Sequence, residues 1–410
     1  MIRRMTELRL AVEPPTTYYD DPFELRVEGV PEGASVVVAA EMREVDGGIW
    51  RSSGQYRVGP RGCLEDPMRV VWSAERVLPS GPPEAGSEIA LDLTVEHDSR
   101  SAAACCVRLD PSVGGGVEPD DPELAGLLYL PPGDSRHPPV LFLGGSEGGF
   151  HRRHPALLAR HGFAVLSLAY FGHPRRPHLV EVPLEGFERA LRWLLGHPRV
   201  EGRRAAVIGG SFGGQAAPLV AATYPALAGA TVMLSGSGVV TSGIPGHPTL
   251  LDNFQDARSP WTFGGRPLDF VSGTGDEFER QCRSGGPVEM RLAFETALRD
   301  EAAVARAAIP VEAIDGPLLM LSGGDDRQWP CVAMSEVVVA RRRQGGLPVE
   351  HVVYPEAGHG LVPPPYGPTT TRVLPPPFPL VMGGTAAADA VAREDAWRRV
   401  LAFLAAHAGL

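Results

Sequence analysis

The chain of 410 residues contains no lysine; all 38 of its basic residues are arginine. That excludes a P-loop, whose lysine reaches the nucleotide phosphates, and a pyridoxal-phosphate enzyme with its own Schiff-base lysine. Positive charge is also in deficit. Against the arginines stand 49 Asp and Glu, for a net charge of −11, so a basic footprint for nucleic acid is missing and no such partner is expected. Cysteine is scarce: Cys63, Cys105, Cys106, Cys282 and Cys331 are too few and too irregular for a disulfide framework. None forms a C-x-x-C pair, so structural zinc is not expected; no cofactor is expected either. No run of about 20 apolar residues is present to span a bilayer. The first residues carry arginines without an apolar stretch behind them, so no signal peptide is expected and the expected location is cytoplasmic. Glycine (49) and proline (41) are plentiful, but a 43% hydrophobic share supports a sizeable core. The length suits two domains.

Two textures follow one another. Residues 8–12, 23–27, 35–41, 49–56, 68–76, 89–96 and 102–109 alternate or are β-branched, and turn signals such as Pro31-Glu32-Gly33 and Asp46-Gly47-Gly48 separate them. Seven short strands at this spacing predict an all-β immunoglobulin-like sandwich over 1–115. Past Gly114-Gly115-Gly116 the strands 140–143, 164–169, 205–208, 232–234, 318–321 and 351–354 alternate with helical stretches at 154–161, 184–195 and 215–222. That pattern predicts a mostly parallel, doubly wound sheet over 116–410, with functional residues at the carboxyl ends of its strands.

The strand at 205–208 runs into Gly209-Gly210-Ser211-Phe212-Gly213 and then a helix. This is a Gly-x-Ser-x-Gly turn in the strand-to-helix context of an α/β hydrolase, where side chains two residues either side of the serine collide with backbone. Ser211 is the candidate nucleophile. Such a serine needs an oriented base, and in this fold the chain order is serine, acid, histidine. The strand at 318–321 leads to Gly323-Gly324-Asp325-Asp326, where two aspartates compete; Asp325 is read as the orienting acid and Asp326 as a loop hydrogen-bonder. Pro355-Glu356-Ala357-Gly358-His359-Gly360 follows the last strand and makes His359 the base. The oxyanion hole is expected from the Phe212 amide and from the glycine loop at 144–149, through the Ser146 amide or its neighbour Glu147. His151, His154, His173 and His178 read as surface residues, Cys331 as a buried structural thiol, and Arg327 as an ion-pair partner of the local aspartates.

Several stretches then carry a resemblance: 157–166, Leu168-Ala169-Tyr170-Phe171-Gly172, 182–190 with His197-Pro198-Arg199-Val200, the Asp325-Asp326-Arg327-Gln328-Trp329 loop, Tyr354 to His359, and the helix around 390–397. The chain resembles the acyl-CoA thioesterase and bile acid-CoA:amino acid N-acyltransferase family over nearly its whole length. The resemblance implies a serine or cysteine nucleophile acting on acyl thioesters, with the roles falling on Ser211, Asp325 and His359. The chain departs from the family in Phe212 and in Gly213-Gly214-Gln215-Ala216. It also departs over about 236–308, the expected cap, which holds Trp261, Phe263, Phe270, Cys282 and Phe294; Trp261 and Phe263, with Glu147 of the earlier glycine loop, are the candidate pocket residues. Serine rather than cysteine tilts the expectation to hydrolysis of a small-molecule acyl thioester. Acyl transfer to an amine or alcohol, ester or amide hydrolysis, and a non-catalytic binding protein are the alternatives. Arg152-Arg153 and Arg175-Arg176 are the local candidates for a basic coenzyme A entrance, and a carrier-protein donor stays open.

Overall fold

The computed structural model describes residues 7–79, 86–362 and 364–409. It divides into two compact units: the residues up to Gly114 together with Pro364–Thr371, and the remainder from Gly115 onward. The return of Pro364–Thr371 to the first unit differs from the single boundary expected at 115. Thr369 and Thr370 bond the backbone carbonyls of Trp72 and Ala74 within that unit.

The first unit contains β1 (Arg9–Glu13), β2 (Thr16–Tyr18), β3 (Glu24–Glu28), β4 (Ser35–Arg43), β5 (Ile49–Arg57), the short helix α1 (Arg69–Trp72), β6 (Glu75–Leu78), β7 (Glu88–His97) and β8 (Arg100–Leu109). Six strands pair in the order β2-β8-β7-β4-β5-β6, and β1 pairs with β3 separately. An immunoglobulin constant sandwich divides seven strands as four and three, so the distribution here differs from the expected one. Along β4 and β7 every second residue is buried, among them Val36, Val38, Leu91 and Leu93. This is the period of a sheet with one covered face. The strand expected at 68–76 is replaced by α1 and a short β6. Val70 and Val71 are both buried, and adjacent strand residues cannot share one face.

The second unit contains β9 (Gly126–Tyr129), β10 (Pro139–Leu143), α2 (Arg153–Arg160), β11 (Ala164–Leu168), β12 (Val182–Pro183), α3 (Glu185–Gly196), β13 (Ala205–Gly210), α4 (Phe212–Thr223) and β14 (Ala228–Leu234). There follow α5 (Leu250–Gln255), β15 (Trp261–Phe263), β16 (Arg266–Pro267), α6 (Asp276–Ser284), α7 (Arg291–Ala297) and α8 (Glu301–Ala307). The chain ends with β17 (Leu318–Gly323), α9 (Cys331–Gln344), β18 (Glu350–Tyr354) and α10 (Ala386–His407). The main sheet runs β18-β17-β14-β13-β10-β11-β9, parallel except for β9. β10, β11, β13, β14 and β17 are buried at every position, as expected of parallel strands covered on both faces. After β11 the chain returns past β10 to lay down β13. That reversal opens a crevice beyond the carboxyl ends of the strands. The helices α5–α8 and the small sheet β12-β15-β16 accompany the insertion between β14 and β17.

Candidate active site

At the carboxyl end of β13 the chain turns sharply into α4. Ser211 sits on this turn with φ 56° and ψ −121°, a backbone geometry that non-glycine residues adopt only under constraint. The flanking glycines are required by close approach. A Cβ on Gly209 would lie 2.0 Å from the Gly213 carbonyl oxygen, and one on Gly213 would lie 2.1 Å from the Leu143 oxygen. α4 itself is buried along nearly its whole length, so the turn is anchored in the core.

The Ser211 hydroxyl lies 3.1 Å from Nε2 of His359, and Nδ1 of the same ring lies 2.7 Å from Oδ2 of Asp326. A carboxylate only accepts, so Nδ1 carries the proton and donates it. Nε2 is then left to accept from the serine hydroxyl. The carboxylate facing the imidazole is therefore Asp326 and not Asp325, which corrects the expectation from sequence. Past β17 the chain leaves the strand for a turn, in which the successive N–H groups of Gly324 and Asp325 both donate to the neighbouring segment, at the carbonyls of Tyr354 and Ala357. The turn directs Asp325 away from the imidazole, to Arg327 Nε (2.6 Å) and the Gly384 N–H (2.9 Å). Asp326 is 1% exposed. Its other oxygen accepts from the N–H groups of Gln328 and Trp329 at 2.8 and 3.2 Å.

Burial alone pulls the His359 imidazolium down, but the charge and hydrogen bond of Asp326 outweigh it. With smaller contributions from Glu147 and Asp389, the ring ends above its ordinary value. Its loop is held from behind: Asp389 Oδ1 accepts the Gly358 N–H at 2.8 Å, and Arg393 donates to the Gly360 carbonyl. Trp329 presents its ring at 78° to the imidazole, with its own Nε1 anchored on the Ser235 carbonyl. Asp389, Arg393 and the packing of Trp329 were not anticipated as parts of the site. Their spacing from His359 along the chain leaves no local signal.

Ser211, His359, Ser146 and Phe212 line one cavity of about 140 Å³. The glycine loop after β10 presses on the serine: a Cβ at Gly145 would lie 3.2 Å from that of Ser211. Ile244, Leu250, Phe254, Phe294, Phe378 and Leu380 complete the apolar wall. The segment 236–308 thus supplies lining residues, Phe294 among those expected of it, but Trp261 and Phe263 are corrected. Trp261 is wholly buried, packed on Tyr170 and Phe187, with its indole N–H on Gln215 Oε1 at 3.2 Å. Phe263 is 48% exposed and meets Tyr224. Glu147 is a further correction. It is outside the lining, largely exposed, and 3.4 Å from His151. Of the presumed surface histidines, His154 is half-buried and stacked on Phe142, and desolvation first, then His151, pushes it down to about 3. Among the described residues no group of three or more His, Cys, Asp or Glu side chains is placed to hold a metal ion.

A mostly parallel sheet with a serine elbow, a buried histidine and a carboxylate in hydrogen-bonded series defines an enzyme of the α/β-hydrolase class. Residues 182–409, more than half of the chain, match the family model described as BAAT / Acyl-CoA thioester hydrolase C terminal, and the protein belongs to that family. Acyl-coenzyme A thioesterase 6 of Mus musculus is 28% identical, over 96% of this chain and 95% of that one. Acyl-coenzyme A thioesterase 1 of Homo sapiens is 26% identical, over 95% and 94%. Acyl-coenzyme A amino acid N-acyltransferase 1 of Mus musculus is 27% identical, over 98% of both.

Proposed function

We propose that the protein hydrolyses acyl-CoA thioesters through an acyl-Ser211 intermediate. One observation carries this reading: the Ser211–His359–Asp326 series opens into an apolar cavity with no charged residue among its lining besides the imidazole. Ser211 Oγ attacks the thioester carbonyl while its proton passes to His359 Nε2, and Asp326 stabilises the resulting imidazolium. The Phe212 and Ser146 N–H groups face the developing oxyanion, a contribution of about 3–4 kcal/mol per donor in such sites. Collapse breaks the carbon–sulfur bond, and the departing thiolate takes the proton from His359. Water then gives its proton to His359 as it attacks the acyl-serine. The carboxylic acid leaves and the hydroxyl is restored.

The cavity is of the order of the roughly 150 Å³ apolar void that accommodates a benzene molecule. Of its two wall amides, Asn253 is fully committed to backbone groups of its own loop and Gln328 directs its Nε2 to the Met382 sulfur. A compact, uncharged acyl group fits these facts, and a dicarboxylic one does not. Acyl transfer is the second reading, favoured by the N-acyltransferase relative. The test is acyl-enzyme trapping with butyryl-CoA in the native protein and in Ser211→Ala. Hydrolysis requires label on Ser211 and free acid as product, both lost in the variant. Product that appears only with added amine or alcohol overturns hydrolysis, and turnover that survives in Ser211→Ala overturns the serine.

A further inference from the structure

Leu179 and Ile244 exchange backbone hydrogen bonds at 3.2 and 2.8 Å. Ile244 lines the acyl cavity, whereas the adjoining residues Pro245, His178 and Val180 line a separate open basin of about 370 Å³. Neighbouring Cα atoms are about 3.8 Å apart, so the rim of the basin begins one residue from the wall of the cavity. Arg175, Arg176 and Arg258 converge on it with His178 and His247, and Asp256 is the only carboxylate in its lining.

The cations differ in what they already hold. Arg258 is paired with Asp256 at 3.0 Å, which also receives His247 at 2.9 Å, and Glu181 adds to the field at Arg258. Arg175 donates to the Pro122 carbonyl and has Glu123 at 3.9 Å. Arg176 has no carboxylate partner among the described residues. It is half-buried, and both desolvation and the adjacent Arg175 work against its charge. Its backbone is fixed in a closed turn, with Gly172 N–H on the Arg176 carbonyl and Arg176 N–H on the His173 carbonyl, both at 2.8 Å. A guanidinium held at a concave site without a counter-charge is a ready receptor for a phosphate, which it grips bidentately.

We infer that this basin binds the phosphorylated nucleotide end of coenzyme A, with Arg176 as the anchoring cation, while the pantetheine arm passes the Leu179–Ile244 pair to bring the thioester to Ser211. This subsite rests on the thioester reading above. The basin falls in the size range of small-molecule pockets, about 300–1,000 Å³, and its concavity suits a nucleotide better than the single phosphodiester on a folded carrier protein.

The test compares butyryl-CoA with the butyryl thioester of N-acetylcysteamine, which lacks the nucleotide. In Arg176→Gln the ratio of kcat/KM for the CoA substrate over the truncated one is expected to fall about ten- to a hundredfold, the span of a lost charged hydrogen bond. The loss should lie in KM, and Arg176→Lys should recover part of it. Raised ionic strength should lift the wild-type KM for butyryl-CoA more than that of the variant. Calorimetric titration with adenosine 3′,5′-bisphosphate tests the basin without turnover: the wild type binds it and Arg176→Gln binds more weakly. An unchanged ratio, equal losses on both thioesters, or no bisphosphate binding overturns the proposal. So does an Arg176→Gln defect found only with an acyl carrier protein. If the bisphosphate binds in an Arg176-dependent way while no thioester is hydrolysed, the basin stands and the hydrolytic reading falls.

Discussion

Replacing Asp326 by asparagine perturbs the imidazole while leaving the shape of the loop nearly intact. The native carboxylate uses Oδ1 for the Gln328 and Trp329 N–H groups and Oδ2 for His359. An asparagine that keeps the two backbone bonds must turn its NH2 toward His359 Nδ1. That amide donates, so the ring proton moves to Nε2 and Ser211 loses its acceptor. The same change of tautomer in a serine protease triad lowers kcat by about 10⁴, equivalent to about 5.5 kcal/mol of barrier, and a fall of that order is expected here. Asp325→Asn loses only the contact with Arg327, an ion pair whose side chains are 39% and 43% exposed. A pair that exposed is worth about 0–1 kcal/mol, so kcat should change less than about fivefold. The assay is thiol release from butyryl-CoA, read with a thiol-reactive dye, beside a thermal melt that confirms folding of both variants. The pH profile provides an independent sign. His359 must be neutral to accept a proton, and Asp326 raises its pKa. Wild-type activity should therefore fall as pH drops through a value above 6.5, and the residual activity of Asp326→Asn should persist to lower pH. Comparable losses in the two variants, or a larger one in Asp325→Asn, refute the assignment of the acid.

Phe254→Ala enlarges the acyl cavity and should move the optimum of kcat/KM toward longer acyl-CoA chains; a chain-length series with an unmoved optimum contradicts the lining described. Gly213→Ala drives a methyl against the Leu143 and Gly144 carbonyls. It should destabilise the fold by at least the 1–3 kcal/mol or so typical of overpacking, measured as a lower denaturant midpoint. Trp261→Phe removes the indole bond to the buried Gln215. It should lower stability by about 1–3 kcal/mol for the unsatisfied amide while the acyl preference stays as it was, since Trp261 is outside the cavity. A shifted preference would return that residue to the pocket.

That Ser211 and His359 come together was legible because their signals are local. Gly209 and Gly213 are demanded by backbone contacts within a few residues of Ser211 or with the adjoining strand, so strand, turn and helix can be read as one unit. His359 likewise follows directly on the last strand. The alternation of buried and exposed residues along β4 and β7 reports one covered face without knowledge of what covers it.

Which of two adjacent aspartates meets the imidazole depends on how the chain turns after β17, and sequence spacing does not carry that information. The fates of Trp261 and Phe254 show the same limit. A large apolar side chain gains similar free energy from a filled core or a cavity wall, so composition cannot tell lining from packing. Only the packing of Tyr170 and Phe187 with Gln215 removes Trp261 from the site. Asp389 and Arg393 reach the histidine loop from α10, and Arg176 becomes conspicuous only once its neighbours are seen to hold carboxylates that it lacks. The sequence by itself determined the chemistry carried by the local turns. Tertiary structure decided which side chains those turns would face, because facing is set by contacts between residues far apart along the chain.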